Sequence, residues 1–262
     1  MPTKERLDIL VHERGLAASR EKARGMIMAR EVRVDGTVVD KAGTRISTEA
    51  EITVTGKPRF VSRGGDKLAG ALAAFPVDVT GRICADVGAS TGGFTDALLQ
   101  HGASRVYAID VGYGQIDYAL RQDERVVVIE RTNARHLESL DERVSFVSID
   151  ASFISLRLLL PTIQKWLTPQ ADLIPLIKPQ FEAGPDDVGK GGVVRNHAVH
   201  ERVLYEVLSF AVTSGYGVRG LITSPLKGPA GNTEFLAWLT WGQPEPSASL
   251  ETLIRPVIAA LD

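Results

Sequence analysis

Four polar residues fall where apolar segments stop or helical segments start. Lys67 follows Arg63-Gly64-Gly65-Asp66 and opens a predicted helix. Asp150 ends the predicted strand 144–149, and Lys178 ends the predicted strand 173–177, with Pro179 fixing the exit. Glu234 starts a last strand after Gly231-Asn232-Thr233. A lysine directly after a strongly apolar strand needs a reason, because buried lysines are rarely unpaired. Two lysines with two carboxylates can form one satisfied cluster. Such a cluster suits attack by a poorly nucleophilic hydroxyl on an electrophilic methyl group. The hydroxyl needs a base and stabilisation of its developing negative charge. A lysine is a base only when neutral; a second lysine and burial favour that form, while the carboxylates oppose it. In-line positioning then supplies much of the acceleration. The plain alternative is two ordinary salt bridges.

The electrophile is indicated by Asp86-Val87-Gly88-Ala89-Ser90-Thr91-Gly92-Gly93-Phe94-Thr95, which follows the strand 83–85 and opens a helix. Glycines there let the backbone approach a nucleoside closely. The spacing is G-x-x-x-G-G, not the G-x-G-x-x-G of dinucleotide sites. Asp86 would repel a pyrophosphate but suits the amino group and sulfonium of S-adenosylmethionine. Asp110 ends the second strand at the distance where a ribose diol is normally held. Val111-Gly112-Tyr113-Gly114-Gln115 keeps space beside it, and Asn133 after the third strand can meet an adenine edge. The expected cofactor set is Asp86, Gly88, Ala89, Ser90, Thr91, Gly92, Gly93, Phe94, Asp110, Val111, Asn133 and Asp150. With that cofactor, the hydroxyl of the cluster chemistry reads as a ribose 2′-hydroxyl.

These residues need a sheet to carry them. Strand patterns begin near Ile83, Val106, Val126, Val144, Leu173, Val218 and Phe235, alternating with helical patterns near 66–75, 93–101, 115–121, 156–166 and 197–214. That alternation predicts a parallel, doubly wound α/β sheet. The link between the last two strands is too short for a helical crossover, so they should pair antiparallel.

Ahead of the sheet lies a smaller module. Residues 1–67 hold 14 Lys/Arg against 10 Asp/Glu, whereas 68–262 hold 16 against 22. A basic front module attracts phosphate backbones. Leu7, Ile9, Leu10 and Val11 predict a short helix ending near Gly15. Ser19 reads as an N-cap for a helix over Arg20–Arg30 that buries Ala23, Ile27 and Met28 and leaves Arg20, Lys22, Arg24 and Arg30 free. Alternating valines around Asp35-Gly36 predict a hairpin, and 51–55 another strand. The expected division is 1–57, a joint at 58–66 broken by Pro58 and Gly64-Gly65, and 67–262. The candidate RNA contacts are Arg6, Arg20, Lys22, Arg24, Arg30, Arg59 and Arg63.

The whole chain has 262 residues and 28.3 kDa, with 44% hydrophobic and 24% charged residues, enough for a real core. A single cysteine, Cys84, excludes an internal disulfide and a cysteine zinc site. His197 and His200 lack a third ligand, so no metal is expected. No apolar run is long enough for a membrane helix, and the first residues carry no apolar signal, so the expectation is a cytoplasmic protein without membrane contact. The loop 184–195 reads as mobile, with Lys190 and Arg195 available to phosphates.

Residues 1–57 resemble the RNA-binding domain first described in small-subunit ribosomal protein four, through R-L-D at 6–8, S-R-x-x-A at 19–23, V-R-V-D-G at 32–36 and I-T-V at 52–54. The order Lys67, Asp150, Lys178, Glu234 resembles the tetrad of FtsJ-type RNA 2′-O-methyltransferases. Nearly the whole chain is similar to the TlyA family, also called hemolysins, through V-S-R-G-G-D-K-L (61–68), G-A-S-T-G-G-F-T (88–95), D-V-G-Y-G-Q (110–115), E-R-T-N-A-R (130–135), I-D-A-S-F-I-S-L (149–156), K-P-Q-F-E (178–182) and S-P-L-x-G-P-x-G-N-x-E (224–234). The resemblance implies a Rossmann-like seven-stranded methyltransferase sheet and catalytic roles for the four residues. It also implies S-adenosylmethionine as cofactor and cytidines of 16S and 23S ribosomal RNA, within ribosomal subunits, as targets. The alternatives are a non-catalytic assembly factor, a membrane-lysing protein, and a methyltransferase for small molecules.

Overall fold

The computed structural model describes residues 3–54, 56, 59–243 and 249–261. Thr55, expected in a strand, Lys57, expected as the last residue of the first module, and Pro58, expected in the joint, lie outside the described residues. The chain divides into two compact units, 1–59 and 60–262.

The first unit runs β1 (Lys4–Arg6), α1 (Leu7–Glu13), α2 (Arg20–Met28), β2 (Val32–Val34), β3 (Thr37–Val38), β4 (Arg45–Ser47) and β5 (Ile52–Val54). Ser19 caps α2, its hydroxyl accepting from the Lys22 N–H. Asp35 and Gly36 both have positive φ, 49° and 78°, which gives the tight β2–β3 turn the twist that its strands need. β5 pairs with the other side of β2, and β1 pairs with β4. Leu7, Leu10, Val11, Ala23, Ile27 and Val32 form this unit's core. Met28 was expected in it but is 72% exposed, because it sits one residue, about 100° of helical turn, past Ile27.

The second unit contains α3 (Gly64–Ala74), β6 (Ile83–Val87), α4 (Gly93–Gln100), β7 (Arg105–Ile109), α5 (Tyr118–Arg121), β8 (Val126–Ile129), β9 (Val144–Ile149), α6 (Leu156–Ile163), β10 (Leu167–Ile177), α7 (Pro179–Glu182), α8 (His197–Thr213), β11 (Gly217–Thr223), β12 (Phe235–Trp241) and α9 (Leu250–Ala259). Its sheet has the order β11-β12-β10-β9-β6-β7-β8, and β12 alone runs against the rest. The strands are apolar on both faces, as a covered parallel sheet requires. Cys84, Val106 and Phe146 face the core under α3 and α4, while Ala85, Tyr107 and Val147 face the core under α6 and α8. Gly64 and Gly65 do not break structure as expected. They open α3, and a Cβ on Gly65 would fall 2.3 Å from the Phe60 ring. Glycine serves close packing there rather than a turn. Among the described residues no helix is long and apolar enough to cross a membrane.

Candidate active site

Strand register brings the site together. Val87 lies opposite Ile149 on one side and Ile109 on the other, so Gly88, Asp150 and Asp110 leave adjacent strands side by side. Ile177 of β10 lies opposite Phe235 of the reversed strand β12. The end of one strand and the start of the other therefore carry Lys178 and Glu234 to the same sheet edge. A Cβ on Gly88 would sit 2.8 Å from the Asp150 carbonyl oxygen, so a side chain there would force β6 and β9 apart.

The two lysines and two carboxylates form two pairs. The Lys67 ammonium lies 2.5 Å from Glu234 Oε2, and both side chains are buried. Gln180 donates to the other Glu234 oxygen at 3.4 Å. Lys178 Nζ lies 2.7 Å from Asp150 Oδ1 and donates to the Ser152 hydroxyl at 2.9 Å and to the Asp150 carbonyl at 3.3 Å. It also sits 5.8 Å from the Phe181 ring centroid. Ion pairing at these positions keeps the buried charges compensated.

Two cavities open on this edge. The larger, about 700 Å³, is lined by Asp110, Val111 and Asn133, by apolar side chains including Ile109, Ile154 and Leu158, and by Phe181. The smaller, about 300 Å³, holds all four cluster residues together with Arg63, Leu226 and Lys227. Gly88, Ser90, Asp150 and Ser152 line both. The expected cofactor residues divide accordingly. Gly88, Ser90, Asp110, Val111, Asn133 and Asp150 line the larger cavity. Ala89, Thr91, Gly93 and Phe94 line only the smaller one. Asp86 and Gly92 line neither.

Asp110 is held by its own loop, accepting from the N–H groups of Ser90 and Gly112, both at 2.7 Å. Asn133 caps the short turn after it, its Oδ1 accepting from the Arg135 N–H. Asp86 departs from its expected position near the cofactor's charge. It is fully buried beneath the loop, accepting from the hydroxyls of Thr95 at 2.7 Å and Ser148 at 3.2 Å. Burial pushes its pKa up to about 7, with the Asp150 charge adding to the rise and the two hydroxyls opposing it.

Several residues escaped the sequence reading. Asn232 is buried and ties two loops together: its Oδ1 accepts from Val194 N–H and its amide donates to the Gly192 carbonyl. The loop 184–195, expected to be mobile, is thus pinned beside Glu234. Glu182 is buried too, and accepts from Ser155 and from the Leu156 N–H that starts α6. Phe153 is exposed with a positive φ of 62°, its ring against Phe181 at 4.8 Å. Exposure and a positive φ single it out only in the structure; the sequence carries no such signal.

In the first unit, Arg20 and Arg24 are not free as expected. With Arg6 they converge on the buried carboxylate of Asp8, at 2.9, 3.0 and 2.9 Å. Asp8 sits on the inner side of α1, where only a counter-charge makes burial tolerable. The Arg6 guanidinium, with Arg24 and Arg20, holds that carboxyl far below the usual range. Lys22, Arg30 and Arg59 are exposed, and Arg63 lies on the wall of the smaller cavity in the second unit. No metal-holding cluster occurs among the described residues.

Comparison with known proteins places the chain in a family. The FtsJ-like methyltransferase family matches residues 60–241, and the S4 domain matches residues 5–52. The chain is 50% identical to a Bacillus subtilis protein provisionally named the rRNA methyltransferase YqxC, over 97% of this chain and 93% of that one. It is 47% identical to the Mycobacterium tuberculosis 16S/23S rRNA (cytidine-2'-O)-methyltransferase TlyA, over 91% of both chains. A solved Streptococcus thermophilus structure, provisionally called a hemolysin, superposes with a TM-score of 0.77 at 46% identity, covering 99% of this chain and 96% of the other. The chain belongs to the FtsJ-like methyltransferase family, and within it stands with the TlyA proteins.

Proposed function

We propose that this methyltransferase moves a methyl group from S-adenosylmethionine to the ribose 2′-hydroxyl of cytidine in ribosomal RNA. Its partners would then be the 16S or 23S RNA within ribosomal subunits, met in the cytoplasm. The observation that carries the reading is the shared wall of the two cavities: Asp150 and Ser152 belong to both, and Lys178 is bonded to each of them.

The larger cavity fits the cofactor in size and donor set. Cofactor sites are mostly apolar clefts of roughly 300–1,000 Å³ with a few fixed polar groups. Asp110 would hold the ribose diol, because its carboxylate is already oriented by two backbone N–H groups and retains lone pairs. Asn133 and the apolar lining would receive the adenine. When bound, the sulfonium supplies an electrophilic methyl and a positive charge.

The chain's own residues do the rest. Asp150 positions the Lys178 amine, and Gly88 sets how close the two cavities come. Lys178 accepts the proton of the 2′-hydroxyl as the methyl moves to oxygen. The step requires the free amine at that moment, held in place by Ser152 and Asp150. Lys67, anchored by Glu234, would offset negative charge growing on the ribose oxygen. The first unit would grip the RNA backbone through the exposed Lys22 and Arg30, and through the net positive charge that Arg6, Arg20 and Arg24 keep around the single Asp8 carboxylate.

The test is transfer of labelled methyl groups from S-adenosylmethionine to ribosomal RNA or subunits by the purified protein, with ribose methylation mapped afterwards. Methylation of cytidine 2′-oxygens is expected. Modification of bases only, or no transfer to either RNA, would overturn the reading.

A further inference from the structure

The smaller cavity carries more positive charge than its reaction requires. Four cations line it, Arg63, Lys67, Lys178 and Lys227, against two carboxylates, Asp150 and Glu234. Both carboxylates are taken, one by Lys67 and one by Lys178. Arg63 and Lys227 are left on the cavity wall, exposed, with no carboxylate partner among the described residues. They come from distant parts of the chain, one just ahead of α3 and the other between β11 and β12.

The segment that carries Lys227 is held firmly. A Cβ on Gly70 would fall 2.9 Å from the Pro225 ring, so α3 packs directly against this segment. The Ser224 hydroxyl donates to the Leu226 carbonyl at 2.8 Å. The Gly228 N–H donates to the Asn232 carbonyl at 2.9 Å, and a Cβ on Gly228 would meet Glu234 at 2.5 Å. Lys227 is thus borne by a braced backbone beside Glu234, so little loop entropy remains to be lost on binding.

We infer that Arg63 and Lys227 form a phosphate-binding subsite for the RNA strand entering this cavity. They hold a backbone phosphate next to the ribose being methylated. The inference rests on the proposed ribose methylation and names how the reacting nucleotide is held. Arg63 supplies a planar fork and Lys227 a point charge, a combination suited to a phosphodiester. An uncharged small acceptor would have no use for either. The two groups act on binding, because neither touches Lys178 or Lys67 in the pairs described above.

The full chain is tested on ribosomal RNA across a salt series, comparing the wild type with Lys227→Ala, Lys227→Arg, Arg63→Ala and Arg63→Lys. Loss of one charge-assisted contact should raise KM for RNA about tenfold or more at low salt. It should flatten the slope of log affinity against log salt by about 0.7–0.9. Affinity for S-adenosylmethionine and kcat should hold, and Lys227→Arg should restore most of the binding. Unchanged KM and slope in Lys227→Ala would overturn the inference, as would a fall in kcat alone or weaker cofactor binding. A wild type that methylates no RNA would instead overturn the proposed function. An active wild type matched by an equally active Lys227→Ala sinks the phosphate subsite only.

Discussion

Replacing Asp86 with asparagine should stabilise the methyltransferase unit, and more so as pH rises. The Asp86 carboxylate has no exposed surface and meets neutral donors, the hydroxyls of Thr95 and Ser148 and the Thr95 backbone N–H, with no cation paired to it among the described residues. Burial, reinforced by the Asp150 charge, lifts its pKa from 3.8 to about 7. The folded state therefore holds the proton more tightly than the unfolded chain does. Between about pH 4 and pH 7 the native state binds more protons, so stability falls as pH rises through that window. Each pKa unit is worth about 1.4 kcal/mol, so the ionised carboxylate costs about 4 kcal/mol above the window. Asparagine has the shape of the protonated acid: its amide oxygen can keep accepting from Thr95 while its NH2 donates to the Ser148 hydroxyl. Asp86→Asn should recover roughly half or more of that cost at about pH 8 and little at about pH 5. Urea unfolding followed by tryptophan fluorescence reads this unit, since Trp166, Trp238 and Trp241 all lie in it. Burial raises the Glu182 carboxyl in the same sense and lowers His200, but both groups are common to the two proteins and cancel in the difference. Parallel stability curves from about pH 5 to pH 8 would refute the reasoning, because Asp86 would then be ionised in the fold throughout.

Asp110→Ala should weaken S-adenosylmethionine binding by roughly 1.5–3 kcal/mol for each lost charge-assisted bond, measured by calorimetry. Unchanged affinity would leave Asp110 a brace for the Ser90 and Gly112 N–H groups alone. Lys178→Ala should slow methyl transfer by roughly 10²–10⁴ while cofactor affinity holds; a loss under about tenfold would remove the proton-accepting role. Gly65→Ala places a methyl on the Phe60 ring and should destabilise the second unit by about 1–3 kcal/mol in urea unfolding. Asp8→Asn should loosen α1 and α2 at neutral pH, read as faster amide exchange there. Because its partners hold the Asp8 pKa far below normal, the wild type should keep that protection until strongly acidic pH, and early loss near pH 5 would contradict it.

The sheet and its cluster were readable because each relies on a local signal. Apolar runs mark the strands, and a polar residue directly after a run, as at Asp110, Asp150 and Lys178, marks the edge where ligands bind. The turn at Asp35-Gly36 and the cap at Ser19 are likewise local chemistry. What the sequence hid was partnership at long range. Nothing near Arg20 or Arg24 announces that Asp8 will claim both, since the pairing depends on how α1 packs on α2. Asn232 and Lys227 sit in a Pro/Gly-rich stretch that reads as a plain connection until its neighbours are seen. Asp86 was recognised as important but set on the wrong side of the loop. Within a strand, adjacent residues face opposite ways, and Asp86 shares the face of Cys84, beneath α3 and α4, where the Thr95 and Ser148 hydroxyls meet it.

The Lys67–Glu234 pair joins residues 167 positions apart. Everything lining the larger cavity lies between Val87 and Phe181, whereas the smaller one is closed by Leu226, Lys227, Pro229 and Glu234. During synthesis the chain therefore finishes the segment that lines the larger cavity well before it produces the strand that brings Glu234 to Lys67. A chain interrupted between these points would carry the whole lining of the larger cavity and no Glu234 to anchor Lys67. The reversed strand β12 would then be a late requirement of the proposed chemistry: a stop between Phe181 and Glu234 would remove the anchor of Lys67 and leave the lining of the larger cavity in the chain.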